Sequence, residues 1–214
     1  MPLPLAHSAA GVASYLAFSN RAIREVSASK KMALLLFIVA AANIPDLDFL
    51  PGILIGKPGY FHHGGSHSLT GAALLAFILL LLTQRYFPEI PITRMFLLLS
   101  VAVASHSVLD FFSADTSPPF GVPLFGPLSS EYYISPVPVF LDVVRVDTSN
   151  LLFFTTLLNL HNVLAAVLEL LFGTAMISAV LVVQSSFRSV RFWRLLGLFS
   201  ASTSLFILVR LLLR

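Results

Sequence analysis

"MFLLLSVAVASHSVLDFF", residues 95–112, decides what kind of protein this is. Its first half is almost wholly apolar, and its length approaches the ~20 residues a helix needs to cross the hydrocarbon layer of a membrane. Its second half carries His106 and Asp110. These two are i and i+4, one turn apart on one helix face. A membrane helix that carries such a pair is marked for function, because an ionisable side chain in a span is costly unless it is used or paired.

The same pattern extends along the chain. Of 214 residues, 57% are hydrophobic and 11% charged, and the mean hydropathy is +0.90. That balance lies far outside soluble globular proteins. Apolar runs at 31–49, 68–87, 163–183 and 192–213 repeat the length seen at 95–112. The N-terminal "LPLAHSAAGVASYLAF" is shorter and rich in small residues, and reads as a tilted span or a helix lodged between the others. The expectation is an all-α integral membrane protein of about six transmembrane helices, five if the first does not cross. It forms one embedded domain over 1–214, with its motifs in 5–138 and two C-terminal helices in 151–214. Cysteine is absent, which excludes disulfides and thiolate metal sites. The start of the chain has no basic region, so a cleaved signal peptide is not expected. A net charge of +3 and an isoelectric point near 9.5 do not point to nucleic acid, because the basic residues flank the apolar runs.

Their placement orients the chain instead. Arg21, Arg24, Lys30 and Lys31 follow the first segment, Arg85 and Arg94 separate the third and fourth, and Arg188, Arg191 and Arg194 separate the fifth and sixth. Alternate connections hold only Lys57 and Arg145. The positive-inside rule makes the first group cytoplasmic and puts residues 44–66 and 113–150 outside. His7, Asp46, Asp48, His62, His63, His67, His106 and Asp110 then share the outer face, though they come from separate segments.

The chemistry of that set is metal binding. "PDLD" (45–48) offers two carboxylates where Pro45 is expected to stop the second helix at the aqueous mouth. "HHGGSHS" (62–68) offers three imidazoles. Outward C-terminal ends of helices two and four favour cations, and the N-terminal end of helix three favours anions. Gly64 and Gly65 let backbone amides approach a ligand, and Ser66 suits the N-cap. A metal holding a phosphate ester fits such an arrangement. Nitrogen and carboxylate ligands without sulfur suit zinc first, then manganese or iron, over calcium or magnesium, with room for one or two ions. Asp48, if not a ligand, is placed to take a proton from water.

In order and spacing, the N-terminal histidine, "PDLD", "HHGGSHS", "SHSVLDFF" and "GVPLFGPLSSEYYISP" resemble the YdjM-like membrane-bound metal-dependent hydrolases, over roughly residues 5 to 138. The resemblance implies a hydrolase of the bacterial or archaeal inner membrane. The ligand order is also similar to zinc-dependent phospholipase C, which implies ligand roles for His7, Asp46 or Asp48, His62 or His67, His106 and Asp110. One departure stands out: the family usually has arginine where this chain has His63. A phosphate there would need protonated His63, or Lys57 or Arg145 in its place.

The Pro-rich connection 113–150 is long enough to act as a lid against the lipid surface. Among its acids, Asp115, Glu131, Asp142 and Asp147, Glu131 is the first candidate to join the site, because it interrupts a Gly/Pro and Tyr cluster. Tyr132 and Tyr133 read as interfacial aromatics. His161 and Glu169 stand apart from the set. The function expected is a metal-dependent hydrolase of phosphoesters in membrane lipids or lipid-linked molecules. A metal transporter would need ligands along the bilayer, and a metal that only staples helices would need a closed site.

Overall fold

The structure, a computed structural model, describes residues 1–19 and 21–212. The side chain of Arg21, named among the basic residues above, lies outside what it describes. Among the described residues it is helical: α1 (Pro4–Phe18), α2 (Arg21–Glu25), α3 (Ala28–Asn43), α4 (Phe49–Leu54), α5 (Leu69–Thr83), α6 (Ile92–Phe111), α7 (Asn150–Thr156), α8 (Leu160–Val183) and α9 (Val190–Leu212). Extended pairing is limited to two isolated bridges, Ser113–Phe140 and Val122–Tyr133.

Among the described residues, four helical stretches are long and apolar enough to cross a membrane: Ala28–Leu54, Ile92–Phe111, Leu160–Val183 and Val190–Leu212. The six expected from the apolar runs therefore reduce to four of full length, with α1 and α5 at 15 residues each. The second segment also differs from expectation. Pro45 does not stop the helix. The chain tightens into a 3₁₀ turn over Ile44–Asp48 and runs on through α4. A proline at the start of a turn loses no needed N–H, so the axis continues. Asp46 and Asp48 consequently point inward, their side chains 16% and 12% exposed, rather than toward open water.

The short α1 is the hub. It packs on α3, α6 and α8, while α5 packs on α6 and α9 on α8. Small residues make this possible. A Cβ at Gly11 would lie 2.8 Å from Val39 Cα, and one at Gly173 would lie 2.6 Å from Ala9 Cβ. Close backbone approach through such residues is the usual means of association when lipid removes the hydrophobic drive between helices. α1 is thus packed among the other helices.

The two ends of the bundle differ. At one end, Arg94 donates to the Phe18 carbonyl, Lys30 pairs with Glu89, and Arg24 and Arg191 border one surface. At the other end stand the start of α1, the turn after α3, the start of α5 and the end of α6, beneath residues 112–149. That segment is tied down by its own hydrogen bonds: Ser135 N–H to Phe111 O (2.8 Å), Val139 N–H to Phe112 O (2.7 Å) and Leu69 N–H to Leu124 O (2.9 Å). Phe140 is fully buried against Phe172.

Candidate metal centre

Four segments bring their polar side chains together at this end. α1 contributes His7, the 3₁₀ turn Asp46 and Asp48, the approach to α5 His62, His63 and His67, and α6 His106 with Asp110. His7, His67 and His106 are fully buried and Asp110 nearly so.

Their inner atoms form a cage. His106 Nε2 lies 3.2 Å from His67 Nε2, 3.3 Å from Asp46 Oδ1 and 3.3 Å from Asp110 Oδ2. His67 Nε2 lies 3.7 Å from Asp46 Oδ1 and 3.5 Å from Asp110 Oδ2. Ligand atoms around a tetrahedral ion with bonds of ~2.0–2.2 Å stand roughly 3.3–3.6 Å apart. The cage has that size. His7 stacks on His106, ring centroids 3.7 Å apart, and its Nε2 is 3.6 Å from the second oxygen of Asp110.

These atoms are poorly served by one another. Both nitrogens of His7, both oxygens of Asp110 and Asp46 Oδ1 are buried without a hydrogen-bond partner. Buried polar groups are almost always satisfied, so a convergent set that is not calls for a ligand. A cation would meet the need of Asp46 Oδ1, of the Asp110 oxygens and of one His7 nitrogen, and the residues present fit a divalent metal.

The supports around the cage have the form a metal site requires. His106 donates its Nδ1–H to the Ala42 carbonyl at 2.9 Å, which leaves Nε2 free to face inward. His67 Nδ1 lies 3.2 Å from Asp48 Oδ2, with the Ser66 hydroxyl donating to the same oxygen at 3.2 Å. Asp48 also accepts from His62 Nδ1 at 3.0 Å. Asp48 thus stands behind His62 and His67, and Asp46 is the carboxylate that faces the cage.

Charge follows the same layout. Burial lowers the basicity of His67, but the Asp46 and Asp48 carboxylates beside its two nitrogens and the charge of Asp110 outweigh it, raising its pKa to about 10. Burial pulls His62 down to about 4, against the hydrogen bond to Asp48. His63 is held well below its ordinary value by burial, with His62 and His67 adding to the effect. It is therefore neutral at neutral pH and cannot serve as the cationic phosphate clamp. Its backbone sits at φ 60, a left-handed conformation rare for such a residue. Its Nδ1 is 3.7 Å from Asp115 Oδ2, and its buried Nε2 has no partner.

Other expectations need correction. Ser66 does not cap α5; Ser68 does, accepting from Gly71 N–H at 2.9 Å, because the 3₁₀ turn Gly65–His67 delays the helix. Glu131 is not brought to the cluster. It is exposed on the loop, with Tyr133 Oη donating to it at 3.3 Å. The acid that does arrive is Asp115, just past the end of α6. Tyr133 is folded into the loop, pairing with Val122 and packing edge-on to Phe125. Lys57 is exposed beside Tyr60, whereas Arg145 is drawn in. Gly64 accepts the His67 N–H at 3.0 Å, and Gly65 opens the turn that carries His67. His161 ties down the loop through Nε2 to the Asp142 carbonyl at 2.8 Å. Glu169 accepts from the N–H groups of Leu3 and of Ala6, and so caps α1.

Beyond the cage, His62, His63, Asp115, Thr116, Asp142 and Arg145 are among the residues lining a cavity of about 390 Å³ under the loop. The signal that would have found Asp115 and Arg145 is not local. It lies in how the segment 112–149 folds back.

Comparison with known proteins places this geometry in context. A family model described as YdjM inner membrane protein matches residues 1–202 of the chain. No curated protein and no solved structure matches it.

Proposed function

Because the chain belongs to the YdjM inner membrane protein family and gathers a cage of unpartnered histidine and aspartate atoms, we propose that it is a membrane-embedded metal-dependent hydrolase. Its substrates are phosphoesters of lipids or lipid-linked molecules. The observation that carries this reading is the set of buried, unsatisfied atoms of His7, Asp46 and Asp110 around His67 and His106. Zinc is the first choice of ion, for the cage size and the N/O ligand set, with manganese or iron next.

A divalent ion, when bound there, polarises a phosphoryl oxygen and makes water acidic enough to ionise near neutral pH. The chain's own residues supply the rest. His67, His106, Asp46 and Asp110 would hold the ion, with His7 beside them as a further donor. Asp48 orients His67 and His62. His62 lines the cavity, its Nδ1 held by Asp48 and its Nε2 against Met1 Sδ. In this reading α1 and α5 also cross the bilayer, giving six crossings. The basic end of the bundle is cytoplasmic, and the cluster faces the extracytoplasmic side.

A transporter is less well supported, because Glu169, the acid in the middle of α8, is spent on capping α1. A purely structural metal has one observation in its favour: the cage draws ligands from four separate segments and is nearly closed to solvent.

Elemental analysis of the detergent-purified protein beside a His106→Ala/Asp110→Ala variant tests the proposal. Expected are one or two zinc, manganese or iron ions per chain, lost in the variant, with hydrolysis of a lipid phosphoester by the parent only. Equal metal content in both proteins would sink the site. A metal-loaded parent that cleaves no lipid phosphoester would leave the metal as a staple.

A further inference from the structure

Arg145 stands where two cavities meet. One is the polar cavity with His62 and His63 in its wall. The other is a mostly apolar pocket of about 180 Å³ between the start of α1 and α7, bordered by Pro4, Phe49, Phe153 and Leu157, and also by Asp46 of the cage. The Arg145 guanidinium carbon lies 5.0 Å from the ring centre of Phe49 and 5.8 Å from that of Phe153. Its Nε donates to Asp147 at 3.1 Å, and the side chain is 12% exposed. Rings and carboxylate hold the fork in place, while Nη1 and Nη2 make no hydrogen bond among the described residues. A pre-set planar fork with donors to spare suits a phosphate.

The acids that share the polar cavity are already engaged. Asp115 accepts from the N–H groups of Ser117 and Gly121, and Asp142 from those of Thr116 and Val143. They hold the loop in shape and leave Arg145 as the cavity's one side-chain cation among the described residues.

α7 supplies the lipid half. Phe153 turns inward to the guanidinium and is 7% exposed, while Leu151, Leu152 and Phe154 face outward, followed by Leu158 and Leu160. The outward apolar groups of this short helix match a lipid surface. The apolar pocket lies directly behind it.

We propose that Arg145 binds the phosphate of a membrane lipid whose chain enters the apolar pocket between α1 and α7, which sets the headgroup beside Asp46 and His62. This rests on the phosphoesterase reading for its purpose, but the binding itself can be tested without any metal or turnover.

The protein is held in a phosphate-free maltoside detergent as a Leu157→Trp reporter in a Trp193→Phe background. Quenching is titrated with brominated phosphatidic acid and with brominated diacylglycerol, which has the same tails and no phosphate. Expected is tighter association of phosphatidic acid by about 10- to 100-fold, the worth of charge-assisted hydrogen bonds. Arg145→Gln should erase the preference, and Arg145→Lys should keep part of it. Metal content, measured on the same samples, should not change. Equal quenching by both lipids in the parent would overturn the proposal, as would a preference that survives Arg145→Gln. Displacement by millimolar inorganic phosphate would overturn the lipid as the source and leave a site for free phosphate. A lipid preference retained in a His106→Ala/Asp110→Ala protein supports the proposal whether or not the parent hydrolyses lipid, so the two readings fail separately.

Discussion

Two buried polar regions of this protein invite comparison. Glu169, in the middle of α8, has both carboxylate oxygens occupied by backbone N–H groups at the start of α1. The His/Asp cage, one layer away, has atom after atom with nothing to bond. Both regions are expensive in a chain that is 11% charged. One is a finished structural device: a helix start without a side-chain cap of its own borrows one from a neighbour. The other is unfinished in the protein alone. A satisfied buried group holds the fold together, whereas a convergent unsatisfied set is shaped for a ligand.

The difference can be broken or sharpened by measurement. The largest effect should come from acidity. His67, with its pKa raised to about 10, carries a proton at neutral pH in the metal-free protein, and an entering ion must expel it. Affinity should then fall by about tenfold per unit as pH is lowered, or ~100-fold from pH 8 to pH 6. Proton release on zinc addition, followed by titration calorimetry in buffers of different ionisation enthalpy, reads this directly. Zinc uptake without proton release would show that His67 is not displaced from its carboxylates.

Next is Asp48, which stands behind two of the histidines. Asp48→Asn should weaken metal affinity by roughly 10- to 100-fold, the usual cost of losing an outer partner. A loss as complete as that of the His106→Ala/Asp110→Ala variant would instead make Asp48 a direct ligand. Smallest for the metal is Glu169→Leu. It should leave metal content per folded chain unchanged and cost about 1–3 kcal/mol for each N–H stranded at the start of α1. Thermal unfolding in detergent measures the cost. A variant with unaltered stability and lost metal would reverse the roles assigned to the two regions.

Much of the site was legible because part of it is local. His106 and Asp110 lie one turn apart on one helix, a relation that follows from helical spacing alone. "HHGGSHS" concentrates imidazoles within a few residues, so any fold would keep them near one another. Legibility ended where the chain had to return from a distance. Glu131 was the natural candidate in the loop, yet it faces solvent, while Asp115 and Arg145 are the residues drawn in. A segment without helical or strand period carries no rule for which side chain points inward, and its hydrogen bonds to Phe111, Phe112 and Leu69 settle that instead. Pro45 misled for a related reason. It ends a helix interior, but it opens a 3₁₀ turn without loss, and that turn rotates Asp46 and Asp48 onto different partners.

Sequence by itself determined the membrane class, four of the apolar helices at full length, the absence of thiolate ligands and the identity of the converging histidines and aspartates. Those properties rest on composition and on spacings of a few residues, where the chain's own geometry leaves little choice. Tertiary structure alone decided that Asp46 faces the cage while Asp48 stands behind it, that Glu169 caps α1, and that Arg145 sits between two aromatic rings at the meeting of a polar and an apolar cavity. Each of these is a contact between segments brought together by folding, and its geometry depends on how closely small residues let the helices approach.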